Sequence, residues 1–256
     1  MMRNFIFFKT KKTGLTGRKI RDELGISSQL SYRGDANKVI RWGNSRDPCS
    51  TELVLNKQCA IEKSANKKRA LEIMKSSGVR VPYFLTDKEE AEEILEDGHT
   101  LLGRTTYHQG GKDITVINNV RDLRRDHKSS HWVIKKDIVH EYRVHVFQGE
   151  IIGISRKTDE GVVYRISNAV ARNHANGWRF VRCDIDQAHN RLKEIAHESV
   201  VSLGLDFGAV DVILANDGNS RRYYVLEVNS APSLEEGSTI LYSYINKFKR
   251  WLSETS

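Results

Sequence analysis

A hairpin near the C-terminus constrains the fold of this chain more than any other feature. Two runs rich in β-branched and aromatic residues, FGAVDVIL and RRYYVLEVNSAP, flank the polar turn NDGNS, a pattern that predicts two antiparallel strands. Side chains alternate along a strand, so Glu227 and Asn229 share a face, and folding about 217–219 brings Asp211 within a residue or two of Glu227. Two carboxylates and an amide oxygen suit Mg²⁺. A solvated acidic strand face is the alternative interpretation.

Composition indicates an ordinary globular protein. The chain has 256 residues, of which 39% are hydrophobic and 29% charged, enough for one large domain or two small ones. No apolar run has the length of a membrane span, and the start, MMRNFIFFKTKKTG, is typical of a first strand and not of a leader. Cys49, Cys59 and Cys183 are odd in number and lack metal spacing. We therefore expect reduced thiols, a cytoplasmic location and no membrane partner.

The formal charge of +8 allows two kinds of polyanionic partner. Basic clusters lie at 9–12, 67–69 and 121–125, as a nucleic-acid binder would require. They are scattered, interrupted by Asp122 and Asp126, and not interleaved with stacking aromatic residues. Solvated faces or a basic cleft for a nucleotide explain them equally well, so we do not expect nucleic acid as a partner.

Glycine, proline and the spacing of apolar residues divide the chain into three parts. A short N-terminal α/β domain is predicted over residues 1–55, a middle domain over 56–135, and a C-terminal domain with two hairpins over 136–256. Helix ends are predicted where glycine follows an apolar-periodic run. The predicted strands are at about 5–8, 38–42, 100–106, 113–118, 143–147 and 151–155. Five helices are predicted: one that ends at Leu24, one over about 65–77, one from the Thr86–Glu89 capping box to Gly98, one over about 188–203, and one that extends through Leu252.

The loop His108–Lys112 carries a possible phosphate contact. Gly110 and Gly111 leave backbone N–H groups open to an anion, and Lys112 adds a charge. A simple hairpin turn, which also needs glycine, is the alternative. The segment SNAVARNHANGW, over 167–178, is polar and turn-rich, as expected of a ligand loop or of a mere connection.

The segment EYRVHVF alternates two sets of side chains. Arg143, His145 and Phe147 lie on one face, and an arginine with a histidine beside a metal site suits a phosphate or a substrate carboxylate. Arg156 closes the partner strand and adds a guanidinium near the same end. A polar edge strand is the alternative interpretation.

Taken in order, these motifs resemble the ATP-grasp superfamily of carboxylate–amine ligases. The resemblance runs from Asn56 onward and looks closest to the amino-acid and peptide ligase branch, which includes glutamate-adding enzymes and, more remotely, D-alanine–D-alanine ligase. Its segments are LNKQCAIEKSANKKRALEIMKSSGVRVP (entry helix), LLGRTTYHQGGKDI (phosphate loop), WVIKKDI (hinge), EYRVHVF with ISRKT (arginine strands), ARNHANGW (substrate loop) and VDVIL with LEVNSAP (metal motif). The end of KVIRWGNS also resembles compact members encoded in bacteriophage genomes, which would place the protein in a host cytoplasm.

The resemblance implies an α/β (α+β) ATP-grasp fold, in which two α+β subdomains grip ATP behind a short N-terminal α/β domain. Arg104 stands where most members have lysine. The implied cofactors are ATP and Mg²⁺, with Mn²⁺ as a substitute. The implied roles are nucleotide binding for Lys67, Arg104, Gly110, Gly111, Lys112, Ile134, Lys135, Lys136 and Asp137 (an acid near the ribose position), catalysis for Arg143 and Arg156, substrate binding for His145 and Asn173, and metal binding for Asp211, Glu227 and Asn229.

The implied reaction joins a small-molecule or peptide carboxylate to an amine. Transfer of the ATP γ-phosphoryl group converts the carboxylate into an acylphosphate that the amine attacks, and such transfer needs charge neutralisation and in-line positioning. A small-molecule kinase on the same scaffold and a non-catalytic nucleotide- or nucleic-acid-binding protein stay as alternatives. The sequence specifies neither the substrates nor the oligomeric state.

Overall fold

Three β-sheets follow one another along the chain in the computed structural model, which describes residues 5–9, 15–29, 36–46, 51, 53–107, 114–159 and 178–254. The first sheet is parallel and has the order β2-β1-β3-β4. Its elements are β1 (Phe5–Lys9), α1 (Leu15–Leu24), β2 (Ser27–Gln29), β3 (Lys38–Trp42) and β4 (Val54–Leu55). The predicted strands at 5–8 and 38–42 and the helix ending at Leu24 are confirmed.

The N-terminal sheet shares its core with the C-terminal helix α7 (Thr239–Ser253). Trp42, which is 1% exposed, stacks on Phe207 with ring centres 5.6 Å apart and meets Tyr244 edge-on at 5.5 Å. Lys38 Nζ donates to the carbonyls of Trp251 and Glu254, each at 2.7 Å, and so binds the C-terminal end of α7. The N-terminal part is therefore packed into the same body as the C-terminal strands.

The middle part contains an antiparallel sheet of the order β5-β8-β6-β7. Its elements are α2 (Gln58–Ala65), α3 (Lys67–Ser76), β5 (Phe84–Leu85), α4 (Lys88–Glu96), β6 (Leu101–Arg104), β7 (Ile114–Ile117), α5 (Val120–Arg125) and β8 (His131–Ile134). The predicted helix over 65–77 is α3, and α2, α5 and β8 were not predicted. The N-cap of α4 is Asp87, one residue later than the predicted capping box, since the Asp87 side chain accepts from the Glu90 N–H at 3.0 Å and Lys88 is the first helical residue.

The C-terminal part is a five-stranded antiparallel sheet of the order β11-β10-β9-β12-β13. Its strands and remaining helix are β9 (Asp137–Phe147), β10 (Glu150–Asp159), β11 (Trp178–Cys183), α6 (Asn190–Leu203), β12 (Phe207–Asp217) and β13 (Ser220–Asn229). Both predicted hairpins are present, and β11 was not predicted.

Helices α2, α3 and α6 cover one face of this sheet with a continuous apolar core that includes Met74, Ile195 and Val210. On the other face α7 covers the end near Phe147 and Phe207. The rest of that second face carries the charged residues described below. Among the described helices, none has both the length and the apolar character needed to cross a membrane.

Candidate active site

Three charged residues form a row across the second face of the C-terminal sheet. Asp211 on β12, which lies between β9 and β13, pairs with Arg143 of β9 on one side and with Glu227 of β13 on the other. Strand neighbours lie about 5 Å apart, so the three side chains meet on a rigid surface. The expected approach of Asp211 to Glu227 is confirmed, and the pairing is in register.

A β-bulge produces this register. Counting from the turn, Val212 pairs with Val225, and the next pair is Asp211 with Glu227, which leaves Leu226 as an extra residue on β13. In an unbroken ladder Leu226 would lie opposite Asp211. Bulges of this kind change the direction of side chains and are frequent beside active sites. The bulge therefore aligns the two carboxylates of the row.

Arg143 holds Asp211 through a two-pronged contact. Its Nε donates to Asp211 Oδ1 at 2.7 Å and its Nη2 to Oδ2 at 2.8 Å, and Asp211 is 7% exposed. Burial alone would lower the pKa of Arg143, but the Asp211 charge and hydrogen bonds outweigh it, so the pKa lies above its usual value. The guanidinium stays charged and oriented in the plane of the carboxylate.

Glu227 is held by two donors from different elements. Lys67 Nζ, at the start of α3, lies 3.3 Å from Glu227 Oε2, and Asn229 Nδ2 donates to Oε1 at 2.9 Å. The amide of Lys67 donates to the Thr106 carbonyl at 3.1 Å, which ties the start of α3 to the segment after β6. Lys67, Asp211, Glu227 and Asn229 are thus brought together, as the motifs predicted.

The oxygen atoms of Asp211, Glu227 and Asn229 are the candidate metal ligands of this site. Hard oxygen donors of this kind suit Mg²⁺ or Mn²⁺ rather than a thiol- or imidazole-binding metal. Among the described residues, no group of three or more His, Cys, Asp or Glu side chains is arranged to hold a metal. The donor set is two carboxylates and one amide.

Arg156 does not lie beside Arg143, which corrects the expectation from the sequence. Ser155 is the residue of β10 that pairs with Arg143, and Arg156 pairs with Tyr142. Because neighbours on a strand point to opposite faces, Arg156 is directed away from the charged row. The pKa of His140, which lies on that other face, is lowered mainly by burial and secondly by the charge of Arg156.

Lys157 is the cation that β10 contributes to the site. It pairs with Glu141 in the strand register and forms an ion pair with its carboxylate, and both side chains are less than 10% exposed. Sequence reasoning missed this residue because the adjacent arginine, in SRK, was chosen in its place. Counting the strand alternation across the hairpin would also have selected Arg156, because the register shift between Ile151 and Gly153, which brings Lys157 to the face of Arg143, is not visible in the sequence.

An aromatic ring that sequence reasoning missed covers these cations. Phe180, on β11, lies with its ring centre 4.5 Å from the guanidinium carbon of Arg143 and 5.2 Å from Lys157 Nζ. No signal in the sequence marked Phe180, because β11 itself was not predicted.

His145 shares a face with Arg143, as predicted, but it is not open to a substrate. It is 2% exposed, and its Nδ1 lies 3.2 Å from the hydroxyl of Tyr244 on α7. Burial and the nearby charge of Arg143 lower the pKa of His145 to about 3. The tyrosine hydroxyl also donates to the Gly208 carbonyl at 3.3 Å. The predicted substrate contact is therefore wrong, and His145 is a neutral residue of the core.

Arg104, one of the nucleotide residues predicted in the middle part, interacts electrostatically with Glu227 of the row and with Glu141. Arg104 ends β6, and burial lowers its pKa although the charges of Glu227 and Glu141 oppose this. The amides of Ile134 and Lys135 donate to Tyr83 and Thr100, each at 2.9 Å. These two hinge N–H groups are thus already bonded within the protein.

The two following hinge residues are also engaged. Lys136 Nζ lies 3.5 Å from Asp217 Oδ1 and 4.7 Å from the centre of the Tyr224 ring. The exposed Asp137 accepts a hydrogen bond from Asn216. Beside them lies a small apolar cluster that sequence reasoning missed, consisting of Ile138, Ile213, Ala215, Tyr224 and Leu226.

Four predicted site residues, Gly110, Gly111, Lys112 and Asn173, lie outside the described residues. The expected phosphate loop and substrate loop therefore stay predictions.

Known proteins resemble this chain in sequence and in fold. No model of a known protein family matches the chain. The chain is 26% identical over 224 residues to a protein of Legionella pneumophila named "Probable alpha-L-glutamate ligase", covering 82% of this chain and 68% of the relative.

Solved structures are similar over almost the whole chain. The ATP-grasp ligase PsnB complexed with minimal precursor, Mg and ADP has a TM-score of 0.68 at 14% identity, covering 98% of this chain and 99% of that chain. D-alanine–D-alanine ligase from Bacillus anthracis complexed with ATP also has a TM-score of 0.68 at 14% identity, with 98% and 95% covered. The macrocyclase MdnC from Microcystis aeruginosa, bound with precursor peptide MdnA, has a TM-score of 0.65 at 11% identity, with 98% and 100% covered.

These likenesses show that the chain has the ATP-grasp fold, as the order of its motifs predicted. The resemblance to carboxylate–amine ligases is confirmed as well, since the sequence relative and the structural neighbours are ligases by name.

Proposed function

We propose that this protein is an ATP- and Mg²⁺-dependent carboxylate–amine ligase that forms an amide or peptide bond through an acylphosphate. The observation that carries the proposal is the row Arg143, Asp211 and Glu227, with Lys67 at its end, on an ATP-grasp sheet. The row combines metal-binding carboxylates with a fixed guanidinium, which are the groups that phosphoryl transfer to a carboxylate requires.

The residues at the site fit Mg²⁺. Mg²⁺ keeps several waters and is commonly bound through one or two carboxylates together with substrate phosphates. Asp211, Glu227 and the amide oxygen of Asn229 would hold it, and Mn²⁺ accepts the same oxygen donors. When bound, the metal neutralises charge on the phosphate oxygens.

The cations of the site have separate roles in the proposed reaction. Arg143 orients the carboxylate substrate. It also offsets the negative charge on the transferring phosphoryl group while the substrate oxygen attacks the γ-phosphorus and ADP leaves. Lys67 is paired with Glu227, and Lys157 with Glu141. When these ion pairs loosen, the two lysines offset negative charge on the nucleotide phosphates. The amine then attacks the acyl carbon, phosphate leaves, and the nitrogen loses a proton. Fixed cations in a partly buried site stabilise such charge better than water does.

The apolar cluster beside the hinge supports an adenine site. Leu226 and Ile138 supply apolar contacts next to the hinge at 134–137. Because the amides of Ile134 and Lys135 are bonded within the protein, a base would use other polar groups of the hinge. Asp137, which is exposed beside the hinge, stays the proposed acceptor of a hydrogen bond from a sugar hydroxyl, and Glu141, on the same face as Arg143, is a second candidate. A loop over Gly110, Gly111 and Lys112 that covers the phosphates, and a substrate contact from Asn173, stay part of the proposal.

The substrates are proposed by class only. The names of the relatives mention glutamate, D-alanine and precursor peptides, so amino acids and acidic peptides are the first acids and amines to test. A cytoplasmic location, predicted from the sequence, also stays part of the proposal.

An ADP-release screen over amino acids, dipeptides, acidic peptides and polyamines tests this function. We expect metal-dependent ADP release that needs both an acid and an amine, with an amide identified by mass spectrometry and Mn²⁺ replacing Mg²⁺. A stable phosphorylated acceptor without amide would identify a kinase instead. ATP with Mg²⁺ should also raise the melting temperature, as mass action requires. No shift at millimolar ATP would contradict nucleotide binding.

A further inference from the structure

Phe180 reaches the centre of the site from the edge of the sheet. On β11 it pairs with Lys157, and its ring extends diagonally across β10 towards Arg143 on β9. The residue of β10 that pairs with Arg143 is Ser155, which is small and 5% exposed. A larger side chain there would stand between the ring and the guanidinium. The contact therefore depends on three strands.

The ring restrains Arg143 in a way that hydrogen bonds cannot. The guanidinium carbon lies 4.5 Å from the ring centre and over its face. A planar guanidinium stacked on a ring keeps all its N–H groups, which lie in its own plane, available for oxygen atoms. The same ring attracts Lys157 at 5.2 Å. One aromatic side chain thus contacts two site cations.

The second restraint on Arg143 is its contact with Asp211, which also belongs to the proposed metal site. If Asp211 held a metal, its oxygens would be shared and its hold on Arg143 would weaken. The contact with Phe180 involves no metal ligand, so it would be independent of this change. An arginine that must face a reacting carboxylate after metal binding needs such an independent restraint.

We propose that Phe180 is a positioning residue that keeps Arg143 and Lys157 directed at the reacting groups when Asp211 turns to the metal. The proposal rests on the proposed ligase function. It extends the site to β11 and assigns a role in the reaction to a side chain that need not touch the substrate.

Steady-state kinetics with matched variants tests this role. Phe180→Leu keeps similar volume but has no aromatic face, and Phe180→Tyr restores the face. We expect Phe180→Leu to lower kcat about tenfold, the range of a partly buried cation–aromatic contact, with KM for ATP changed less than threefold. Phe180→Tyr should stay within threefold of wild type. Val181→Ala is the control, since Val181 is on the same strand, points the other way and is 52% exposed.

A double variant separates positioning from packing. In Arg143→Lys the planar group is absent, so adding Phe180→Leu should lower kcat further by less than threefold. A full additional tenfold loss would overturn the role proposed towards Arg143, because the ring would then act through Lys157 or through packing alone. Equal losses in Phe180→Leu and Phe180→Tyr would overturn it too, since a structural role alone predicts them.

A measurement without turnover distinguishes this proposal from the ligase assignment. In ¹⁵N-labelled protein the NMR chemical shift of the Arg143 Nε–H proton should be displaced by the ring current of Phe180. This displacement should persist when Mg²⁺ and ADP are added. Phe180→Leu should lose both properties, and an unchanged signal would overturn the positioning role. If wild type turned over no acid–amine pair, the ligase function would fail, while this resonance would still decide the role of Phe180.

Discussion

Arg143 and Asp211 pair directly across β9 and β12 and are joined by two parallel hydrogen bonds of 2.7 and 2.8 Å. Glu227, on the far side of Asp211, is held by Lys67 and Asn229. Both oxygens of each carboxylate thus have a partner within the protein. The proposed metal site is internally neutralised, and a metal that enters must displace or share these donors.

Replacement of Glu227 by Gln should abolish the metal-dependent reaction. The variant keeps the shape and the contact with Asn229 but removes one of the two proposed metal carboxylates. We expect ADP release to fall at least a hundredfold with the melting temperature within a few degrees of wild type. Glu235→Gln is the control, since Glu235 is an exposed residue that follows the same strand. Near-normal turnover in Glu227→Gln would refute the metal assignment.

Arg143→Ala should affect rate much more than nucleotide affinity. Arg143 faces the proposed transferring group and lies on a different part of β9 from the hinge, so kcat should fall at least a hundredfold while the Kd of ATP changes less than tenfold. Arg143→Lys should rescue little, because an ammonium cannot reproduce the guanidinium geometry. Parallel loss of ATP affinity with unchanged kcat would show that Arg143 only binds nucleotide.

The same substitution should destabilise the nucleotide-free protein. Asp211, 7% exposed, loses its cation, and an unpaired buried carboxylate costs about 3 kcal/mol. Denaturant unfolding of Arg143→Ala checks this value.

Removal of Lys67 should increase metal affinity when nucleotide is absent. Its ammonium lies 3.3 Å from Glu227 Oε2 and repels an incoming divalent ion. We expect Lys67→Met to bind Mn²⁺ about fivefold more tightly than wild type in electron paramagnetic resonance titrations, a change of about 1 kcal/mol in a solvated site. Lys68→Met is the matched control, since the neighbouring Lys68 pairs with Glu72 at 3.9 Å. Equal affinities in Lys67→Met and Lys68→Met would contradict the neutralised-site interpretation.

Leu226→Ala should weaken ATP binding and leave the rate at saturation unchanged. Leu226 is the bulged residue and packs in the apolar cluster beside the hinge. Loss of its apolar contact should raise the Kd of ATP about tenfold, as expected for about 1.5 kcal/mol of apolar burial. Calorimetry with a non-hydrolysable ATP analogue measures this. A large fall in kcat at saturating ATP would show that the bulge, and not the adenine contact, was disturbed.

His145 should make the fold sensitive to mild acid. Its pKa is lowered to about 3 in the folded protein, against about 6.5 in an unfolded chain. The unfolded state therefore binds the proton first, and stability falls as pH drops from about 6.5 towards the folded value. Between pH 7.5 and 5.5 the contribution of His145 to the free energy of unfolding should fall by about 1.4 kcal/mol.

Urea unfolding at the two pH values measures this term. His145→Gln should remove that part of the pH dependence, and His99→Gln, at an exposed position, should not. Identical pH dependence in wild type and His145→Gln would show that the histidine titrates normally.

Local patterns in the sequence predicted the elements that hold the site. The apolar alternation on both sides of NDGNS predicts β12 and β13, and the order of motifs predicts the ATP-grasp fold. The face shared by Arg143, His145 and Phe147 also follows from a period of two. Short strands such as β8 and β11 were missed, because four to six residues of mixed polarity carry little periodic signal.

The sequence by itself determined which residue types alternate along each strand, because that alternation depends only on the neighbours of each residue. Only the tertiary structure decided the bulge at Leu226, the choice of Lys157 over Arg156, the burial of His145 under α7, and the approach of Phe180 to Arg143. Each of these depends on which strand lies beside which and on what covers the sheet. These contacts join residues 12 to 99 positions apart, and their geometry comes from the packing of the whole chain rather than from any local pattern.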